Sequence, residues 1–115
     1  MILVTGGFGL IGSNVAKKLA SEGYDVLILD QSVNPETDFF PKDSKIHFEN
    51  GNILDHFTLA AIFKKYEIKT VVHAAAIPDG EYCKENPVGA VQTNSLGTLN
   101  FLEFCRVHDV NRFIY

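Results

Sequence analysis

The stretch Thr5-Gly6-Gly7-Phe8-Gly9-Leu10-Ile11-Gly12 decides how this chain of 115 residues folds. It follows an apolar run, Met1 to Val4, and precedes an amphipathic segment, Ile11 to Ala20, which predicts a strand, a glycine-rich turn and a helix. Such a turn offers backbone N–H groups and the positive end of a helix dipole to an anion such as a pyrophosphate. Three glycines have separate tasks there: a sharp turn, close approach of the backbone to phosphates, and tight packing of the helix on the sheet. They are Gly6, Gly9 and Gly12.

The glycine spacing alone would also fit a tight connection that binds nothing, so a second feature is needed. Asp30 follows the second predicted strand, Asp25 to Leu29, and lies eighteen residues after Gly12. A carboxylate at that point can accept hydrogen bonds from the ribose hydroxyls of a dinucleotide. The alternative is that Asp30 is only a solvated turn residue, and its position at the end of the strand would then be a coincidence. No lysine or arginine lies between Asp30 and Pro41 to pair with a 2′-phosphate, which favours NAD over NADP.

Composition and charge exclude several classes of function. The chain is 46% hydrophobic and 21% charged, which is typical of one ordinary globular domain, although it is short for a two-domain enzyme. A net charge of -4 gives no electrostatic reason to expect nucleic acid or an anionic membrane as a partner. No apolar run is long enough to cross a membrane, and Met1 leads directly into a strand, so we expect a cytoplasmic location. The two cysteines and four histidines lack the spacing of metal ligands, and we predict no metal.

Strand and helix patterns alternate along the rest of the chain. This order predicts an α/β fold with a doubly wound parallel sheet whose five strands follow the order 3-2-1-4-5. Residues 31–45 break the pattern and are interpreted as a surface excursion, with at most a short turn near Phe39-Phe40. The remaining strands are predicted at Ile46 to Glu49, Thr70 to Ala74 and Arg112 to Tyr115.

Two helices are predicted between these strands. Leu59, Ile62, Phe63 and Tyr66 form one apolar stripe on a helix that Asp55 can cap. Asn86-Pro87 predicts the start of a long helix that runs to about His108. On its inner side we place four aliphatic residues, Val88, Val91, Leu99 and Leu102.

Small residues follow the fourth strand, where ligands bind in an open parallel sheet. Ala74, Ala75 and Ala76 would let a flat ligand lie close to the backbone there. The alternative is that they only permit a tight turn.

Besides the glycine-rich stretch and Asp30, the chain carries Gly51-Asn52-Ile53-Leu54-Asp55, Val72-His73-Ala74-Ala75-Ala76, Glu85-Asn86-Pro87, Asn94-Ser95-Leu96-Gly97-Thr98-Leu99-Asn100 and Arg112-Phe113-Ile114-Tyr115. In this order and spacing, these motifs resemble those of the extended short-chain dehydrogenase/reductases, whose cofactor domain is a Rossmann-type fold. Within that superfamily the chain is most similar to the NAD-dependent sugar-nucleotide epimerases and dehydratases, of the UDP-glucose 4-epimerase kind. The resemblance covers almost the whole chain.

The resemblance implies a role for each candidate binding residue. Asp30 would bind the ribose, and Asn94 would support the site from the long helix, although a buried structural asparagine is the alternative. Asn52 departs from the family, which more often has aspartate there, but an asparagine can still accept and also donate hydrogen bonds. The remaining implied roles are the pyrophosphate turn for Phe8, Leu10 and Ile11, the adenine for Asn52 and Ile53, and the nicotinamide half for Ala74, Ala75, Ala76 and Ile77.

The catalytic residues of the family have no counterpart in this sequence. The family uses a serine or threonine beyond the fifth strand and a Tyr-x-x-x-Lys pair, and no tyrosine of this chain has a lysine four residues later. We therefore name no catalytic residue and expect residues 1–115 to be the NAD-binding N-terminal portion of a homodimeric enzyme with a nucleotide-sugar substrate. The portion alone would be inactive, and its sheet would be incomplete at the C-terminus. The alternatives are part of a carbonyl reductase or a non-catalytic nucleotide-binding module.

Overall fold

The computed structural model describes residues 1–33, 39–41 and 45–115. Five parallel strands form one sheet in the order β3-β2-β1-β4-β5, which confirms the predicted topology. Most of the predicted excursion between residues 31 and 45 lies outside the described residues. The strands are β1 (Ile2–Thr5), β2 (Val26–Asp30), β3 (Ile46–Asn50), β4 (Thr70–His73) and β5 (Arg112–Ile114).

The apolar sequences of β1 and β2 follow from their central position. Ile2 pairs with Val26 on one side and with Thr70 on the other, so β1 has a neighbour along both edges. Leu3 and Val4 are fully buried because helices cover both faces of the sheet. β2 extends through Asp30, one residue beyond the prediction, and therefore carries this carboxylate to the carboxyl end of the sheet.

Helices pack on the two faces of this sheet. Ala16 of the first helix lies in a core with Val4 and Ile28, on one face. On the opposite face Leu3 lies in a second core with Leu59 and Phe101. The helices are α1 (Leu10–Ser21), α2 (His56–Lys65), α3 (Gly80–Glu85), α4 (Pro87–Val91) and α5 (Gly97–Val107), with a π-helical turn (Gln92–Leu96) between the last two.

The predicted helix starts are confirmed by their capping bonds. The Asp55 carboxylate accepts a hydrogen bond of 3.0 Å from the Phe57 N–H at the start of α2. Asn86 caps α4 by accepting from the Gly89 N–H at 3.1 Å, and Pro87 is the first helical residue. The short helix α3, which the sequence analysis did not predict, begins after Asp79.

The predicted inner side of the long helix is wrong. Val88, Val91, Leu99 and Leu102 are between 44% and 67% exposed. The inner residues are smaller or aromatic. At Gly97 the helix lies directly against the Ile53 side chain, which a β carbon would overlap, so no larger residue fits there. The side that faces the core carries Ala90, Gly97, Asn100, Phe101 and Cys105.

The π-helical turn explains why the four aliphatic residues still share one face. Val91 and Leu99 are eight residues apart, which would separate them by about 80° on a regular helix. A π turn accommodates one additional residue, so the two side chains come back into line after about two turns. We call the exposed set Val88, Val91, Leu99 and Leu102 the outer stripe.

Candidate functional site

A cleft of about 330 Å³ opens at the carboxyl ends of β1, β2 and β4. This is the point at which the strand order reverses direction, with β2 on one side of β1 and β4 on the other. Open α/β sheets bind ligands at such a switch point. Its walls come from Gly6, Phe8, Gly9 and Thr93, together with residues 29–32, 51–53 and 74–77.

The glycine-rich turn forms the floor of this cleft through two close backbone approaches. Gly6 has a φ of +66°, and a β carbon there would come within 2.8 Å of the Ala75 backbone, so both conformation and space require glycine. Gly12 lies under the turn, where a β carbon would overlap the Gly6 carbonyl. The third glycine therefore packs the helix against the loop itself, rather than against the sheet as the sequence analysis expected.

The start of α1 faces the cleft in a form suited to an anion. Gly9, which lines the cleft, is the N-cap and, as a glycine, has no side chain that could cap the helix. The first turn contains no acidic residue that would compete for the N–H groups. The N–H groups of residues 10–12 have no partner within the helix, so they and the helix dipole can stabilise a negative charge.

Asp30 is held by the glycine-rich turn itself. One carboxylate oxygen accepts from the Phe8 N–H at 3.0 Å, and the other accepts from the Ser32 N–H at 3.1 Å. Each oxygen keeps a further acceptor site, because a carboxylate has about four lone-pair positions. The side chain is therefore fixed in position at the cleft and can still accept hydrogen bonds from a ligand.

The three bulky residues predicted in the turn have different surroundings. Phe8 lines the cleft and packs against Phe40 and Phe48, with ring centroids 5.4 and 5.8 Å away. Leu10 and Ile11 are 83% and 71% exposed, and neither side chain lies in the cleft wall. Only their backbone N–H groups are placed at the helix start.

The predicted adenine side is formed by Asn52 and Ile53, and both line the cleft. The Asn52 side-chain oxygen accepts from the Leu54 N–H at 2.8 Å, which fixes the orientation of its carboxamide. Ile53 is buried, and its carbonyl accepts from the side-chain nitrogen of Asn100 at 3.2 Å. Asn100 is therefore a residue that supports this wall and that the sequence analysis did not assign.

The opposite wall, residues 74–77, is held at two points. The Ala75 N–H donates to the Thr5 hydroxyl at 3.1 Å. At Ile77, the Asn94 side chain accepts from the backbone N–H at 2.8 Å and donates to the carbonyl at 3.0 Å. Asn94 thus lies behind this wall and holds it, while Ala74, Ala75 and Ala76 line the cleft as predicted.

A buried histidine connects the two supports of this wall. Nδ1 of His73 lies 2.8 Å from the Thr5 hydroxyl, and Nε2 lies 3.2 Å from the Thr98 hydroxyl. The Thr98 hydroxyl donates to the Asn94 carbonyl at 2.8 Å. Burial lowers the pKa of His73 to about 4, so the imidazole is neutral at pH 7. In the sequence, Thr5 and His73 stand out only as polar residues at the ends of two apolar strands. The sequence alone does not show that their side chains come into contact.

Other residues of the wall were also missed. Gly51 has no room for a β carbon, which would overlap the Thr58 side chain. Thr93, from the π-helical turn, lines the cleft, and π turns often occur at functional sites. The residues beside Asp30 could have been inferred from their place directly next to it in the chain: Leu29, Gln31 and Ser32.

Within the described residues, no helix is long and apolar enough to cross a membrane. No group of three or more His, Cys, Asp or Glu side chains in residues 1–33, 39–41 and 45–115 is arranged to hold a metal ion.

The sheet order, the glycine-rich turn and the cleft at the switch point define a Rossmann-type domain. A sequence profile of the NAD dependent epimerase/dehydratase family matches residues 2–115. The chain belongs to this family.

Relatives with established names agree with this assignment. A UDP-glucose 4-epimerase of Yersinia enterocolitica is 33% identical over 119 residues, which cover 99% of this chain and 35% of the relative. The UDP-glucose 4-epimerase of Thermus thermophilus was solved in complex with NAD and aligns with a TM-score of 0.89 at 32% identity. The alignment covers 99% of this chain and 36% of the Thermus chain. The structure of an epimerase of Methanothermobacter thermautotrophicus aligns with a TM-score of 0.88 at 37% identity, and the alignment covers 99% of this chain and 34% of that epimerase. The chain therefore spans about a third of the length of these relatives.

Proposed function

We propose that residues 1–115 form the NAD-binding portion of a sugar-nucleotide epimerase or dehydratase. The observation that carries the proposal is the position of Asp30, which accepts a hydrogen bond from the Phe8 N–H beside a helix start whose N-cap is a glycine. An acceptor for ribose hydroxyls thus lies next to a site for phosphate, as a dinucleotide requires. The family match and the solved relative with NAD support the choice of cofactor.

Each part of NAD would lie at a different wall of the cleft. The pyrophosphate would lie over the N–H groups at the start of α1, next to Gly6 and Gly9, which line the cleft, while Gly12 would let the helix start pack directly under the turn. Asn52 and Ile53 would contact the adenine. Because the Asn52 oxygen is already bonded in its own turn, its NH₂ group would be the main donor to the base. Residues 74–77 would contact the nicotinamide half, with Asn94 behind them.

The full-length protein would act on a nucleotide sugar, as the names of its relatives suggest. When bound, NAD would supply hydride chemistry: the hydride of a sugar C–H bond would go to the cofactor and the hydroxyl proton to a base that is not assigned in this portion, giving a transient keto-sugar, and the hydride would be returned later. The residues of this portion would bind and orient the cofactor. No acid or base for the sugar is assigned among them.

We further propose that the protein is a homodimer. The outer stripe exposes four aliphatic side chains along one helix face, although they are of the type that is usually buried. Several exposed apolar side chains grouped in this way commonly mark an interface.

The proposed function can be tested by calorimetric titration of the full-length protein with NAD and NADP. A 2′-phosphate would lie close to the Asp30 carboxylate, so we expect NADP to bind at least about tenfold more weakly, which corresponds to roughly 1.4 kcal/mol. Asp30→Asn removes the negative charge, so we expect this variant to bind NAD more weakly and to show a smaller difference in affinity between NAD and NADP. Asp79→Asn is the matched control, because Asp79 caps α3 on the surface and lies outside the cleft wall. Equal affinities of the unmodified protein for both cofactors would contradict the proposal.

A further inference from the structure

One arrangement of protons gives every donor around His73 an acceptor. In this arrangement the Thr98 hydroxyl donates its hydrogen bond to the Asn94 carbonyl, so toward His73 it acts as an acceptor. Nε2 must therefore carry the imidazole proton, and Nδ1 is left as an acceptor. The Thr5 hydroxyl then donates to Nδ1 and accepts from the Ala75 N–H. Every proton in this chain of bonds has an acceptor.

This chain of bonds begins and ends at the same wall of the cleft. It starts at the Ala75 N–H, passes through Thr5, His73 and Thr98, and reaches the backbone of Asn94. The Asn94 side chain then returns to the wall through its two bonds to Ile77. The strand end and the helix are thereby kept at a set distance, and the short segment between Ala75 and Ile77 is held at both ends.

We propose that His73 is a positioning residue that, through Thr5 and Thr98, sets the place of residues 74–77 for the nicotinamide half of the cofactor. This inference rests on the proposed function and adds to it a residue that does not itself line the cleft. The imidazole also packs against Phe101, with ring centroids 5.2 Å apart, so the ring is fixed by packing as well as by its bonds. The adenine side depends on a separate bond, between Asn100 and Ile53, and should not depend on His73.

The test compares NAD with ADP-ribose, which has the same adenosine, pyrophosphate and second ribose but no nicotinamide. Thr98→Val keeps the shape of the side chain and removes the acceptor of the His73 Nε2 proton. In calorimetric titrations of the full-length protein we expect Thr98→Val to lower the affinity for NAD about tenfold, which is the effect of one lost hydrogen bond. ADP-ribose should change less than about twofold, since it lacks the nicotinamide ring and its adenosine and pyrophosphate would lie on the other walls. Thr98→Ser restores the hydroxyl and should restore NAD affinity.

Thr70→Val is the control for the substitution itself, because Thr70 lies in the same strand as His73 but at the end away from the cleft. Equal weakening of NAD and ADP-ribose by Thr98→Val would show a general structural role and overturn the inference. Unchanged NAD affinity would overturn it as well. If the unmodified protein bound neither compound, the proposed function and this inference would both fail.

A second measurement covers the case in which Thr98→Val does not fold. Nitrogen-15 NMR of the unmodified protein reports which ring nitrogen of His73 bears the proton. We expect a single neutral form at pH 7 with the proton on Nε2. A proton on Nδ1, or a mixture of the two forms, would overturn the inference.

Discussion

Gly12→Ala should destabilise the protein although it places a better helix former in α1. A β carbon at this position would overlap the carbonyl oxygen of Gly6 and come within 3.0 Å of the Gly7 α carbon. These are backbone atoms of the glycine-rich turn, so no side-chain rotation can relieve the contact. Either the turn or the first turn of α1 must move.

The size of the effect follows from two opposing contributions. Replacing glycine by alanine in a helix gains about 1 kcal/mol at most from helix propensity and from the reduced freedom of the unfolded chain. Overpacking a close contact costs about 1–3 kcal/mol, and a contact with backbone belongs in the upper part of that range. We therefore expect the free energy of unfolding to fall by roughly 1–2 kcal/mol. NAD binding should weaken as well, because the moved turn is the proposed pyrophosphate site.

Urea-induced unfolding of the full-length protein measures this difference. Gly80→Ala is the matched control: Gly80 begins α3, and a β carbon there meets no atom within 4 Å. That variant should be as stable as the unmodified protein or slightly more stable. A Gly12→Ala protein as stable as the Gly80→Ala protein would refute the packing argument.

Two further predictions concern pH and association. Because the pKa of buried His73 is lowered to about 4 from an ordinary value of 6.5, its neutral form contributes stability that is complete above pH 6.5 and is lost as the pH falls toward 4. The loss should be on the order of 3 kcal/mol in urea unfolding, and a His73→Gln variant should lack this part of the pH dependence; a flat profile between pH 4 and 6.5 would be the contrary result. Leu99→Glu should convert the dimer to a monomer in sedimentation experiments, whereas Phe57→Glu, at an 89% exposed position on α2, should leave it intact. A dimer unaffected by Leu99→Glu would exclude the outer stripe as the interface.

The fold could be predicted from the sequence because its main signals are local. Met1 to Val4, the glycine-rich turn and α1 are consecutive in the chain, and each depends on its neighbours in sequence. The helix caps at Asp55 and Asn86 bond within three residues, so they were also predictable. Right-handed crossovers then leave few possible strand orders.

The orientation of the long helix could not be predicted in this way. Large aliphatic residues at helical spacing indicated an inner face, but the space left beneath the helix decides which residues fit there. Gly97 presses against Ile53, and this contact requires a glycine on the inside. The spacing rule also assumes a regular helix, whereas the π-helical turn shifts the phase of every later residue.

The candidate site divides in the same manner between residues that face the cleft and residues that hold them. Asp30 and the three alanines were found because their place after a strand puts them at the cleft. Thr5 and His73 are 68 residues apart, and no pattern in the chain relates them before the sheet pairs β1 with β4. Glycine at position 6 brings Ala75 close to the turn, and the Thr5 hydroxyl then reaches its N–H. The cleft wall therefore depends on a contact between two strands that is made possible by the absence of one side chain. A substitution at Gly6 should disturb the phosphate side and the nicotinamide side together, whereas one at Thr98 should disturb only the nicotinamide side.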